Sequence, residues 1–124
     1  MFDVLMTPEE KAIRDEARAF VTEDVPRQLI LDMDAGKVIY PREYLHKAAA
    51  RRLLGLRFDP AYGGRGLPWT AECAALEEIS VLGTSLGCLY SLPSIIGEAI
   101  HVFGNEEQKC KYLKPTLEGR LTCA

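Results

Sequence analysis

The 124 residues contain no run of basic side chains, no Cys-x-x-Cys pair and no internal repeat. Fifteen Lys and Arg against 18 Asp and Glu give a net charge of −3, with both signs scattered along the chain. Such a surface has no patch for a polyanion, which argues against nucleic acid or an anionic membrane as partner. The four cysteines (Cys73, Cys88, Cys110, Cys123) are widely spaced, and only His46 and His101 could join them in a metal set. No zinc site or disulfide framework is therefore indicated, and free thiols in a reducing compartment are expected. Cys88, with apolar flanks and no nearby histidine, reads as a buried inert thiol. The first ten residues lack the basic and apolar regions of a secretory signal. Five acids (Asp3, Glu9, Glu10, Asp15, Glu16) speak against a mitochondrial transit peptide, so a cytoplasmic protein is the expectation.

What is present is a globular composition: 48% apolar, 27% charged, with 10 Gly and 7 Pro. A single domain of this mass buries about two-thirds of its unfolded surface, enough for a core without staples. Helix signals recur throughout. Thr7-Pro8-Glu9-Glu10 is a capping box with proline at the first helical position, and Ile13, Ala17, Phe20 and Val21 follow at helical spacing. Pro26 opens a second helix carrying Leu29, Ile30 and Met33, stopped at Gly36. Pro41 opens a third with Leu45, Ala48, Ala49 and Leu53. Residues 57–68 hold three glycines and two prolines and read as loop. Thr70 is the expected cap of a fourth helix running toward Gly83.

Residues 79–97 carry no charge, yet nine of the nineteen are Ser, Thr, Gly or Pro. We read Leu86 to Val102 as a central, buried helix rather than a bilayer span, with Pro93 kinking it or removing one hydrogen bond. A last helix is capped by Asn105 and stops at Pro115, and residues 119–124 alternate like the start of a strand. The predicted architecture is all-α: an orthogonal, up-down bundle of five to six helices.

Catalytic constellations are lacking. Glu77 and Glu78 point about 100° apart on a helix and cannot act as a paired acid and base. His46 reads as a surface residue and His101 as a core or interface one. Gly63-Gly64-Arg65-Gly66 lacks the spacing of a phosphate loop and means only a tight turn. The residues alone describe a helical domain without a complete active site.

The ordered series of segments says more. T-P-E-E-K-A-I-R-D (7–15), Y-P-R-E-Y-L (40–45), L-L-G-L (53–56), A-Y-G-G-R-G-L (61–67), A-A-L-E-E-I-S (74–80), F-G-N-E-E-Q-K (103–109) and K-Y-L-K-P-T-L-E-G (111–119) span almost the whole chain. In that order they resemble the N-terminal helical domain of the acyl-CoA dehydrogenase family. The resemblance implies an FAD-dependent parent enzyme that oxidises an acyl-CoA thioester to the 2,3-enoyl-CoA and passes electrons to a separate acceptor, as a homo-oligomer. It implies residues 1–120 as the helical domain and 121–124 as the first residues of a following β-domain. The flavin signature and the catalytic glutamate lie beyond that point, so no residue here inherits a catalytic, cofactor-binding or metal role. Gly87, Cys88, Ser91 and Ile95 match the helix that lines the acyl end of the family's substrate pocket, and the last three share one helical face. By itself the domain is expected to be inactive. The alternative is a non-catalytic helical binding module that kept the fold. Arg52, the shifted Asp59-Pro60 and Pro93 depart from the family pattern and leave the acyl group open: branched, cyclic or dicarboxylic.

Overall fold

Thr7 caps the first helix. Its Oγ1 accepts a hydrogen bond from the Glu10 amide at 3.2 Å, and the Glu10 carboxylate accepts from the Thr7 amide at 2.8 Å. The structure, a computed structural model, describes residues 3–122. Helix α1 (Pro8–Ala19) continues into a π-helical turn, Phe20–Asp24, and is followed by α2 (Arg27–Asp34) and α3 (Arg42–Ala50). After the glycine loop come α4 (Trp69–Ile79) with a 3-10 turn, Ser80–Leu82, then α5 (Thr84–Phe103). Three consecutive segments, Glu106–Gln108, Lys109–Leu113 and Lys114–Leu117, form one last continuous helix, α6. Among the described residues there is no strand, so the all-α expectation holds.

Two pairs of side chains fix the direction of packing. Thr70 Oγ1 donates to the Glu10 carboxylate at one end of the α1–α4 contact, and Arg18 pairs with Glu78 at 2.8 Å at the other. Both partners advance together along the sequence, so α1 and α4 run parallel. The turn at Gly83 returns α5 antiparallel to α4, and Gly104 returns α6 antiparallel to α5. Ile13 and Ala17 of α1 and Phe20 of the π-helical turn then meet Tyr44, Leu45 and Ala48 of α3, Ala71, Ala75 and Ile79 of α4, and Leu86, Leu89 and Tyr90 of α5 in one core. Leu53, Leu54 and Leu56, beyond the end of α3, complete it. A smaller cluster of Phe58, Leu113 and Leu117 seats α6. It needs Gly97, because a Cβ there would lie 3.0 Å from both Leu113 Cδ1 and Phe58 Cζ.

Several local expectations change. Helix α4 begins two residues early, at Trp69, behind Pro68; Thr70 is inside the first turn and gives its hydroxyl to Glu10 instead of the helix end. Helix α6 passes Pro115 and ends at Leu117. The π turn just ahead re-registers the backbone hydrogen bonds, so the proline starts a new turn where its missing N–H costs nothing. Arg52 has φ 56°, in the left-handed region that favours glycine, so an arginine there carries backbone strain. Helix α5 is long and apolar enough to cross a membrane by length and composition, yet it is buried on one side only. Leu86, Gly87, Leu89, Tyr90, Pro93, Ser94 and Gly97 face the bundle, whereas Ile95, Val102 and Phe103 are exposed. Leu121 and Thr122 form no strand, and the rest of that expectation lies outside the described residues.

Candidate functional site

The glycine loop can be settled first. The amides of Gly63, Gly64, Arg65, Gly66 and Leu67 donate to the carbonyls of Pro60, Asp59, Leu56, Phe58 and Leu56 respectively. A phosphate cradle needs backbone N–H groups free to point at the ligand. Here each is consumed within the loop, which is closed so tightly that a Cβ on Gly64 would lie 2.0 Å from the Phe58 carbonyl oxygen.

The loop's ordered geometry serves another end. Arg57, at its start, is buried with 8% of its side chain exposed. Its guanidinium lies 3.7 Å over the Trp69 ring and 4.4 Å over Phe58. It pairs with Glu98 of α5, faces Glu72 of α4 at 3.5 Å, and donates to the Ser94 carbonyl at 3.2 Å. Sequence reasoning missed this cluster. The available signal was an arginine between Leu56 and Phe58, both apolar, in a segment too short of regular structure to expose it. Arg57 Nε and Glu72 Oε2 face one another without hydrogen-bond geometry, and His101 Nδ1 is likewise buried without a hydrogen-bond partner. His101 instead presents its ring to Phe58 at 5.6 Å and Tyr62 at 6.5 Å.

The four residues matched to the substrate pocket lie on α5. Gly87, Cys88 and Ser91 come together in an open groove of about 280 Å³, whose opposite wall is Leu76 and Ser80, with Thr84 at its end. Ile95 is 63% exposed and stands farther along the same helical face, outside that groove. Cys88, expected to be buried, is exposed, because it stands on the open groove and not on the face of α5 that packs into the core. Extending the spacing of Cys88, Ser91 and Ile95 back one turn finds Thr84. Leu76 and Ser80 are brought in only by the Gly83 turn, and no spacing rule points to them. Beyond Ile95 the exposed face continues through Ala99, Val102 and Phe103 to a second groove of about 310 Å³ that also includes Ile100 and Tyr112.

Among the described residues no group of three His, Cys, Asp or Glu could hold a metal ion. Neither do these residues fit a flavin. Among the described residues, the buried polar side-chain atoms without a hydrogen-bond partner belong to the Arg57 cluster and to the packing of His101, and none lines the groove.

The sequence matches the family described as "Acyl-CoA dehydrogenase, N-terminal domain" over residues 7–120. It is 32% identical over 122 residues to the 3-(aryl)acrylate reductase of Clostridium sporogenes, covering 98% of this chain and 32% of that protein. It is 31% identical over 118 residues to the short-chain-specific acyl-CoA dehydrogenase of Clostridium acetobutylicum, covering 94% of this chain and 31% of that one. The crystal structure of glutaryl-CoA dehydrogenase from Mycobacterium smegmatis superimposes with a TM-score of 0.87 at 26% identity, over 98% of this chain and 31% of that chain. The chain thus spans about a third of the length of the relatives it matches. Fold, segment order and sequence agree that the chain belongs to the acyl-CoA dehydrogenase family, as its N-terminal helical domain.

Proposed function

We propose that this chain is the N-terminal domain of an FAD-dependent dehydrogenase that converts an acyl-CoA thioester to the 2,3-enoyl-CoA, and that its groove on α5 receives the acyl end of the substrate. The observation that carries this reading is the convergence of Gly87, Cys88 and Ser91 on an exposed concave face. Cys88 and Ser91 are left uncovered by the domain's own core, with buried Gly87 at the base between them. Small side chains there leave room for a ligand, and the mixture of a leucine with hydroxyls suits a concave site that orients an otherwise apolar guest.

Flavin, when bound in the whole enzyme, supplies the hydride acceptor. The described residues offer no fit for it, so no chemical step is assigned to the domain. Its contribution is to shape the acyl site and to exclude water once Ile95, Val102 and Phe103 are covered by the rest of the enzyme. On this reading the domain alone turns nothing over, the enzyme passes electrons to a separate acceptor, and it works in the cytoplasm as a homo-oligomer.

The test is chain-length preference in the flavin-loaded, full-length protein. Replacing Ser91 by Phe fills the groove and shifts kcat/KM toward shorter acyl groups. An unchanged preference would remove α5 from the acyl site, and no turnover of any acyl-CoA by the unaltered protein would remove the activity.

A further inference from the structure

The chemistry of the groove wall restricts what it can hold. Resting on the acyl-site reading above, we infer that the groove takes an acyl group whose far end carries an uncharged hydroxyl, on an alkyl chain or a phenyl ring, rather than a plain alkyl tail or a carboxylate.

Three hydroxyl-bearing residues line one groove from two elements: Ser80 on the 3-10 turn after α4, and Thr84 and Ser91 on α5. Among the described residues, the Ser80 and Thr84 hydroxyls make no hydrogen bond within the chain. The Ser91 hydroxyl donates to the Cys88 carbonyl at 2.9 Å, which leaves its oxygen free to accept. The wall therefore offers two donors and three acceptors. Leu76 alone supplies an aliphatic side chain.

Gly87 makes these hydroxyls reachable. It is buried at the base of the groove, and a Cβ there would already stand 3.0 Å from Ser80 Oγ. Any side chain would come between the Ser80 hydroxyl and a ligand.

Charge decides against a carboxylate. No Lys, Arg or His lines the groove. A carboxylate sealed there when the enzyme closes would lose its hydration without gaining a counter-ion, which costs far more than three neutral hydrogen bonds return. A plain alkyl tail fails for the opposite reason, because it displaces water from Ser80 and Thr84 and leaves both unpaired. Sites built to hydrogen-bond a hydroxyl discriminate strongly against the analogue that lacks it.

The experiment uses the full-length, flavin-loaded protein and three comparisons with a dye acceptor: hydroxyphenylpropanoyl-CoA against phenylpropanoyl-CoA, ω-hydroxyhexanoyl-CoA against hexanoyl-CoA, and adipoyl-CoA against both. At least one hydroxylated member should exceed its plain partner by roughly tenfold in kcat/KM, the sum of two modest hydrogen bonds, with adipoyl-CoA the poorest. Which pair shows it tells a ring from a chain. Dissociation constants by calorimetry should follow the same order. In the S80A/T84A variant the hydroxyl-to-plain ratio should fall toward one, and Ser80→Thr should keep it. Equal or inverted ratios in both pairs, or a ratio unmoved by S80A/T84A, overturn the inference while leaving the acyl-CoA reading intact. No turnover of any thioester overturns both.

Discussion

The Tyr90 hydroxyl donates a hydrogen bond of 2.8 Å to the carbonyl of Leu53, joining the middle of α5 to the leucine segment that follows α3. Both residues are buried, and among the described residues no backbone amide outside the regular helices donates to that carbonyl. Burial pushes the Tyr90 phenol well above its ordinary range, so it remains a donor at all working pH values. Tyr44 makes the matching bond to the Leu86 carbonyl at 3.0 Å, but that carbonyl lies in the first turn of α5 and has a helical acceptor role as well.

Tyr90→Phe therefore strands a buried carbonyl and should cost about 2 kcal/mol, whereas Tyr44→Phe should cost nearer 1 kcal/mol. Urea denaturation followed by far-ultraviolet circular dichroism gives both values. Equal losses would show that the Leu53 carbonyl finds another donor.

Arg57 should be the most sensitive charged residue. Removing it leaves Glu72, 8% exposed, as an unpaired buried carboxylate, and Arg57→Ala should destabilise by roughly 3 kcal/mol. Lysine keeps the charge but neither the planar stack on Trp69 nor the forked geometry, so Arg57→Lys should be intermediate. The double variant R57A/E72Q should recover part of the loss, because the orphaned charge is gone. A double variant no more stable than Arg57→Ala would place the loss in packing alone.

Acid should act at the helix caps. Hydrogen bonds from the Thr70 hydroxyl and then the Thr7 amide hold Glu10 below its usual value of 4.5, and the bond from Tyr62 does the same for Glu106. A carboxylate lowered in the folded state contributes stability that is present above the unfolded value and is lost as pH falls through the lowered one. Stability should decline as pH drops below about 4.5, and Glu10→Gln should flatten that decline. A decline equally steep in the variant would move the acid sensitivity elsewhere. At the other extreme, Tyr62 is pushed up to about 12 by the same Glu106 contact.

Two glycines separate crowding from backbone conformation. Alanine at Gly64 would drive its Cβ into the Phe58 carbonyl and should cost about 3 kcal/mol or more. Gly36 has φ 70° with open space around it, so Gly36→Ala should cost only the left-handed penalty, roughly 1 kcal/mol. Melting temperatures of the pair should differ in that order.

Much of the fold was legible because it is locally written. The Thr7–Glu10 box, the stripe of Ile13, Ala17 and Phe20, the Gly36 stop and the Asn105 cap each depend on residues within a turn or two of one another. The errors fall where a distant partner intervened. Thr70 left its capping role for Glu10, sixty positions away. Pro115 failed to stop α6 because a π turn shifted the register ahead of it. Cys88 and Ile95, apolar by sequence, face outward because apolarity alone does not decide which face of a helix packs into the core.

Helix positions, helix order and family were thus set by the sequence, since each rests on short-range spacing or on the order of segments. Tertiary structure alone decided the burial of Arg57 between Trp69 and Phe58 and the meeting of Ser80 with Thr84 and Ser91 across the Gly83 turn. Contacts of that kind depend on how whole helices are placed, and a period along the chain carries no information about the distance between two of them.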